Sequence, residues 1–199
     1  MGEKENLAGD KEGLEAALNR LKAINDINKK RLYFVGLLTS LIKKDGLRPV
    51  VVGGCALEFY TIGGYSTGDI DIIFSDNKLL DEKLSSLGFK RVGRHWISEE
   101  LDLYLESPGA QLSQEETKRL TTVNIENFKV YLIGPEDLIL DRLKAYVHWR
   151  SDDDGFWAKE LIFMYQDKLE MAYLKRKARR EKVDKALAKI LRELKKIHE

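Results

Sequence analysis

The sequence predicts an α/β (α+β) fold, in which helices flank a mixed β-sheet and the C-terminal region is helical. Three observations predict it. Apolar residues recur at helical spacing over residues 10–45. Short apolar runs between turn-forming residues fill residues 47–134, as is typical of strands. A helical pattern then dominates the rest of the chain. We therefore predict an N-terminal helical segment (1–46), an α/β core (47–134) and a C-terminal helical region (135–199).

The elements of the core follow from the apolar runs and the residues that bound them. Residues 49–52 predict a short buried strand, a helix starts near Cys55, and residues 68–74 predict a second strand. Asp76 is a typical N-cap for the next helix, which Gly88 would end. The remaining strands are predicted over residues 89–92, 95–97, 101–105, 120–125 and 128–133.

The C-terminal region begins at a helix start and carries most of the positive charge. Gly134, Pro135 and the two acids after them favour a helix, and Ser151 is a capping residue for the next one. Residues 175–196 contain eleven Lys/Arg and three Asp/Glu, a local net charge of +8 in a chain whose total is +1. This basic helix is either a solvated surface or a binding surface for an anionic partner such as RNA.

Apolar residues in the same basic segment follow a 4-3-4-3 spacing. This pattern is typical of a helix that packs on the chain's own core or on a second copy, so a homodimer stays open. The residues are Val183, Leu187, Ile190, Leu194 and Ile197.

Composition narrows the class of protein. The single cysteine, Cys55, excludes an internal disulfide and fits a reducing compartment. The N-terminus lacks an apolar signal region, and no apolar run approaches the ~20 residues that span a bilayer. We therefore expect a cytoplasmic protein. The sequence has neither a zinc-binding Cys/His spacing nor a Walker-type or Rossmann-type glycine motif.

Two acids on one predicted strand are the strongest functional signal. Asp69 and Asp71 alternate with isoleucine, and because a strand repeats every two residues they project from the same face. Neighbouring carboxylates repel each other, so folding alone does not explain them, whereas a divalent cation does. Upstream, Gly53 and Gly54 stand between an apolar run and a predicted helix, where backbone can approach a phosphate closely.

These residues resemble the nucleotidyltransferase superfamily of the DNA polymerase β type, and in particular its small bacterial, abortive-infection toxin-like members. The resemblance implies a nucleotidyltransferase-type sheet and a reaction that uses two Mg²⁺ ions, with Mn²⁺ as an alternative. It implies that Asp69 and Asp71 hold the nucleotide-bound ion and share the second ion. A third acid on a later strand would bind the second ion and help to activate the attacking hydroxyl.

Asp102 is the predicted third catalytic and metal-binding acid, because its apolar flanks fit a strand with one inward carboxylate. Two alternatives stay open. Asp102 would also fit as an ordinary exposed strand residue. Glu106 lies on the same face of that predicted strand and is a weaker substitute.

The nucleotide-binding residues implied by the resemblance are Gly53, Gly54, Ser66 and Thr67. The glycines would admit a triphosphate at a helix start, and the hydroxyls would donate to its phosphates. Tight-turn chemistry is the alternative explanation for all four. Tyr65 stands where many related sequences carry an arginine.

A basic residue on the helix after Pro135 is also implied, and either Arg142 or Lys144 matches it. Both are candidates for neutralising triphosphate charge. The alternative is that they form ion pairs with Asp137, Asp141 or other neighbours on the helix surface.

The leading hypothesis is a Mg²⁺-dependent transfer of NMP from an NTP such as ATP to a hydroxyl of RNA, protein or a small molecule, with release of pyrophosphate. The position of Tyr65 leaves a second hypothesis, a module of the same fold that binds a nucleotide or partner without turnover. A toxin role, with a cognate antitoxin as partner, is a third.

Overall fold

The computed structural model describes residues 11–107 and 111–196. Asp10 and Ile197, which the predictions include, lie outside these ranges. The described chain divides into two compact units, and the second begins at Gly134. The first unit contains the sheet and both N-terminal helices, and the second is built from helices.

The N-terminal segment forms two helices, α1 (Lys11–Lys22) and α2 (Ile27–Ile42). The helical segment that the sequence predicts over residues 10–45 is thus divided into two helices. The break is caused by Asp26, whose side chain accepts a hydrogen bond from the backbone N–H of Lys29 at 2.8 Å and so caps α2. A short 3-10 turn follows α2 before the chain enters the sheet.

The first unit is built on a mixed β-sheet. Within the described residues its strands are β1 (Val50–Val51), β2 (Ile70–Ile73), β3 (Lys90–Val92), β4 (His95–Ser98), β5 (Leu103–Glu106), β6 (Thr121–Ile125) and β7 (Phe128–Leu132). Their order across the sheet is β3-β4-β5-β2-β1-β7-β6. The neighbouring pairs β2–β5 and β1–β7 are parallel, and the other pairs are antiparallel. The sheet is mixed, as the sequence predicts.

Helix α2 is buried on nearly every side, because it packs against α1, β6 and β7. Gly36 allows the close approach to β7: a Cβ at this position would lie 2.6 Å from Cβ of Phe128. The other helices of the first unit are α3 (Gly53–Tyr60), α4 (Asn77–Ser86) and the short α5 (Gln114–Thr117).

Strand β2 alternates between core and open face as the sequence predicts. Ile70 and Ile72 are fully buried, whereas Asp71 is partly exposed on the other face. In the parallel pairing of β2 with β5, Asp71 lies opposite Glu106. The pairing therefore brings a carboxylate from each strand to one face of the sheet.

Asp102 lies outside β5, so the prediction that it belongs to a strand is wrong. Its backbone has φ of 50°, in the left-handed region, and its N–H donates to the carbonyl oxygen of Glu99 at 3.2 Å. Aspartate tolerates this conformation better than most residues, and it closes the turn between β4 and β5. The strand starts one residue later, and Asp102 is exposed in the turn.

The second unit contains α6 (Pro135–His148), α7 (Asp152–Tyr165), α8 (Met171–Arg180) and α9 (Asp184–Lys195). The predicted basic helix over 175–196 is thus two helices, separated by a turn in which Lys182 has φ of 61°.

A buried polar network joins α8 to α6. Asp137 accepts hydrogen bonds from the hydroxyl of Tyr173 at 2.6 Å and from Nζ of Lys177 at 3.1 Å. Because all three side chains are buried, these bonds satisfy groups that would be costly to leave unpaired. In the described parts of the chain, none of the helices has the length and apolar character needed to cross a membrane.

Candidate active site

Three carboxylates meet on the open face of the sheet. Asp69 precedes β2, Asp71 lies on it, and Glu106 ends the neighbouring strand β5. One oxygen of each carboxylate lies within 4.8 Å of the others, and all three residues are partly exposed. Hard oxygen ligands at this spacing fit Mg²⁺ or Mn²⁺. The structure places Glu106, and not Asp102, beside the acid pair.

The paired glycines contact one of these acids directly. The backbone N–H of Gly54 donates to Oδ2 of Asp71 at 2.9 Å. Gly53 has φ of 55°, and a Cβ there would overlap Oδ2 of Asp71 and lie 2.7 Å from its Cγ. Glycine is required at position 53 both for its conformation and for the space that the carboxylate occupies.

Thr67 also lies beside the acids, whereas Ser66 is exposed in the same loop. The Thr67 hydroxyl donates to Oδ1 of Asp69 at 2.8 Å. A Cβ on Gly54 would lie 2.8 Å from Oγ1 of Thr67 and 3.4 Å from the ring of Tyr65. The start of α3 and the loop before β2 are therefore packed tightly together around the carboxylates.

A buried ion pair that the sequence did not predict underlies this loop. Nη1 of Arg31 donates to Glu58 at 2.8 Å, and its Nη2 donates to the carbonyl oxygen of Thr67 at 2.6 Å. Arg31 is 6% exposed and Glu58 is 5% exposed. The available signal was Glu58, a charged residue inside the apolar stretch of α3. Arg31 thus connects α2 and α3 to the loop that carries Asp69.

Cys55 lies at the start of α3 and is buried. Burial raises the pKa of its thiol to about 12, with smaller contributions from nearby charges. The thiol is therefore held in its protonated form at neutral pH.

Glu106 has two basic neighbours on the β3–β4 hairpin that the sequence analysis did not assign. Nε of Arg94 lies 3.2 Å from one of its oxygens, and Nε2 of His95 lies 3.2 Å from the other. His95 is directly opposite Glu106 in the pairing of β4 with β5. These contacts depend on the register between β4 and β5, which the composition of the sequence does not reveal.

Arg142 and Lys144 lie on α6, in the second unit. Arg142 forms ion pairs with Asp141 and Asp154, at 2.9 and 2.8 Å. Lys144 forms ion pairs with Asp141 at 3.6 Å and with Glu181 at 3.4 Å. Ion pairing with neighbours, the alternative left open by the sequence, is therefore observed for both.

The mixed sheet and its three carboxylates define a nucleotidyltransferase-type α/β protein. Comparison with known families agrees. The chain belongs to the family described as nucleotidyltransferase of unknown function (DUF6036), whose model matches residues 32–195.

Solved structures support the fold. An antigenic nucleotidyltransferase-like protein from Paracoccidioides brasiliensis is similar with a TM-score of 0.54 and 20% identity, over 82% of this chain and 93% of that one. The antibiotic-resistance factor ANT(2'')-Ia is similar with a TM-score of 0.51 and 15% identity, over 88% of this chain and 98% of that one. Curated proteins show no match to this chain.

Proposed function

We propose that this protein transfers NMP from an NTP, with ATP as the first candidate, to a hydroxyl acceptor. The acceptor oxygen bonds to the α-phosphorus while the bond from that phosphorus to the β-phosphate oxygen breaks. Pyrophosphate leaves, and the hydroxyl proton passes to a carboxylate and on to water. The observation that carries the proposal is the meeting of Asp69, Asp71 and Glu106 beside Gly54.

Asp69, Asp71 and Glu106 would hold the divalent ions, and Glu106 takes the role that the sequence analysis gave to Asp102. Bound Mg²⁺ or Mn²⁺ would supply charge neutralisation for the attacking and leaving oxygens. The residues themselves position the reactants, which is the main contribution of protein to phosphoryl chemistry. We also assign the acceptor proton to Glu106, the acid on the later strand, which is the role that the resemblance implies for the third acid.

The nucleotide would bind on the glycine side of the acids. Gly53 and Gly54 begin α3, whose N-terminus would attract a phosphate, and Ser66 and Thr67 carry hydroxyl groups on the loop beside it. Arg142 and Lys144 stay proposed as phosphate-binding residues.

RNA is the acceptor we favour, and the surface of α8 and α9 supports this choice. Its exposed basic residues would attract a polyanion. They are Lys175, Arg176, Arg179, Arg180, Lys182, Lys185, Lys189, Arg192, Lys195 and Lys196. The affinity for RNA should therefore fall steeply as salt is added, and an affinity that does not change with salt would remove this preference.

The test of the function is titration of Mn²⁺ and Mg-ATP into the purified chain and two matched variants. We expect Glu106→Gln to weaken metal binding at least tenfold, because it removes one of three anionic ligands. Asp102→Asn removes the same charge from an exposed turn and should bind like the parent.

If Asp102→Asn has the larger effect, the assignment of Glu106 is wrong. If the parent binds no NTP with any divalent ion, the proposed function is wrong. Nucleotide binding without turnover on RNA, protein or small-molecule acceptors would instead support the binding module.

A further inference from the structure

The β3–β4 hairpin places positive charge on one side of the carboxylates. Across the strands the order is Asp71, Glu106 and then His95, each directly opposite the next. Gly54 contacts Asp71 on the opposite side of this row. The carboxylates thus have a glycine side and a basic side, and the basic side includes Arg94.

Arg94 is unusually available for a residue beside an acid cluster. Its side chain is 74% exposed, whereas that of Glu106 is 14% exposed. Within residues 11–107 and 111–196, the one ion pair of its guanidinium is made through Nε to Glu106. A guanidinium has five N–H donors, and its two terminal nitrogens can donate to two oxygens of one phosphate.

The neighbouring surface combines positive charge with an aromatic ring. Lys90 lies opposite Ile97, and Ile97 lies opposite Tyr104, so the three share a face of the sheet. Tyr104 and Glu106 are two residues apart on β5 and so project from the same face as the carboxylates. Tyr104 is 43% exposed. Cations beside an exposed aromatic ring form the type of surface on which single-stranded nucleic acid stacks.

The charged residues around the hairpin are unevenly distributed between its two ends. Arg94 and His95 lie at the β3–β4 turn next to Glu106, whereas Lys90 lies at the other end of the hairpin, towards Glu99 and Glu100 in the β4–β5 turn. The exposed guanidinium of Arg94 would attract a phosphate to the hairpin side of the carboxylates. Arg94 therefore provides a contact for an anionic acceptor on this side of the site.

We propose that Arg94 binds a backbone phosphate of an RNA acceptor, with Lys90 and Tyr104 forming the surface on which the strand lies. This inference rests on the proposed function, and it specifies the acceptor side of the same site. The nucleotide occupies the glycine side, and the RNA end approaches Glu106 from the hairpin.

The test compares Arg94→Gln with Arg91→Gln in the full chain. Both variants remove one positive charge from the same hairpin. The side chain of Arg91, however, lies on the other face, where its guanidinium is 5.1 Å from the ring of Trp96. The probe is a fluorescein-labelled single-stranded RNA 12-mer, and its affinity is measured by anisotropy at several salt concentrations. Binding of Mg-ATP is measured in parallel by calorimetry.

We expect Arg94→Gln to weaken RNA binding about 5- to 10-fold and to lower the slope of log affinity against log salt by about 0.7, the value for one phosphate contact on a single strand. Arg91→Gln should stay within about twofold of the parent. Both variants should bind Mg-ATP at least as tightly as the parent.

Equal RNA affinities in the parent and Arg94→Gln would overturn the inference. A loss of Mg-ATP affinity in Arg94→Gln would also overturn it, since Arg94 would then bind the nucleotide. Tighter binding of the parent to a polycationic aminoglycoside than to RNA would overturn it as well. Absence of Mg-ATP binding in the parent is a different outcome, because it would reject the proposed function itself.

Discussion

The buried pair of Arg31 and Glu58 provides a quantitative test of how the acid-bearing loop is held. In the substitution Arg31→Met, Glu58 keeps its charge in a buried position but loses its partner, and the Thr67 carbonyl loses a donor. Removing one partner of a buried ion pair costs about 3–5 kcal/mol. Since a domain is stable by only about 5–15 kcal/mol, the free energy of unfolding should fall by about a fifth or more.

The assay is equilibrium denaturation in urea, followed by circular dichroism. The matched control is Arg20→Met, which breaks the exposed pair with Glu126 and should cost much less, because exposed ion pairs contribute little to stability. The double variant Arg31→Met with Glu58→Leu should recover most of the lost stability, because the buried charge is then absent.

Measuring nucleotide binding shows whether the Arg31–Glu58 pair only stabilises the fold or also positions the loop that carries Asp69. The double variant should fold but bind Mg-ATP at least fivefold more weakly, because the Thr67 carbonyl has lost the donor that holds the loop before Asp69. A loss of stability below about 1 kcal/mol in Arg31→Met would refute the reasoning about burial. A double variant that binds Mg-ATP like the parent would refute the positioning role.

Two further predictions concern a glycine and an acid. Gly53→Ala should weaken Mg-ATP binding at least tenfold by calorimetry, because the new Cβ would displace the Asp71 carboxylate. The control is Gly46→Ala, which introduces a Cβ at a similar positive φ but with no atom within 4 Å, so this variant should bind Mg-ATP like the parent. Hydrogen bonding to Arg20 is the main cause that lowers the pKa of Glu126 from 4.5 to about 2. The ionised carboxylate thus stabilises the fold above pH 4.5, and this contribution disappears as the pH falls towards 2. In urea denaturation, Glu126→Gln should be less stable than the parent at pH 6, by about 1 kcal/mol or less, and as stable as the parent near pH 2. The same difference in stability at both pH values would contradict the pKa assigned to Glu126.

The sequence predicted the part of the site that depends on local spacing. Asp69 and Asp71 project from one face because alternation within a strand requires no knowledge of its neighbours. The pair Gly53–Gly54 was also recognisable, since an apolar run that meets two glycines before a helix is a local pattern. The structure adds that Gly54 donates to Asp71, a contact between residues 17 positions apart.

Which carboxylate joins the acid pair depends on where a turn ends. Asp102 and Glu106 have the same parity on the predicted strand, so periodicity alone does not choose between them. The left-handed conformation of Asp102 shortens the strand, and the pairing of β5 with β2 then selects Glu106. Arg94 and Arg31 were missed for the same reason: strand register and helix packing, which bring them to the site, arise from the tertiary fold.

The buried thiol beneath the acids provides a built-in reporter of local opening. Cys55 is the one cysteine of the chain and belongs to the same helical turn as Gly54, which contacts Asp71. A thiol-specific dye would react only when that turn lifts from the sheet, so its labelling rate measures the opening frequency. Occupancy of the neighbouring carboxylates and glycines by a ligand should slow this labelling, which allows binding to be followed in the unaltered protein.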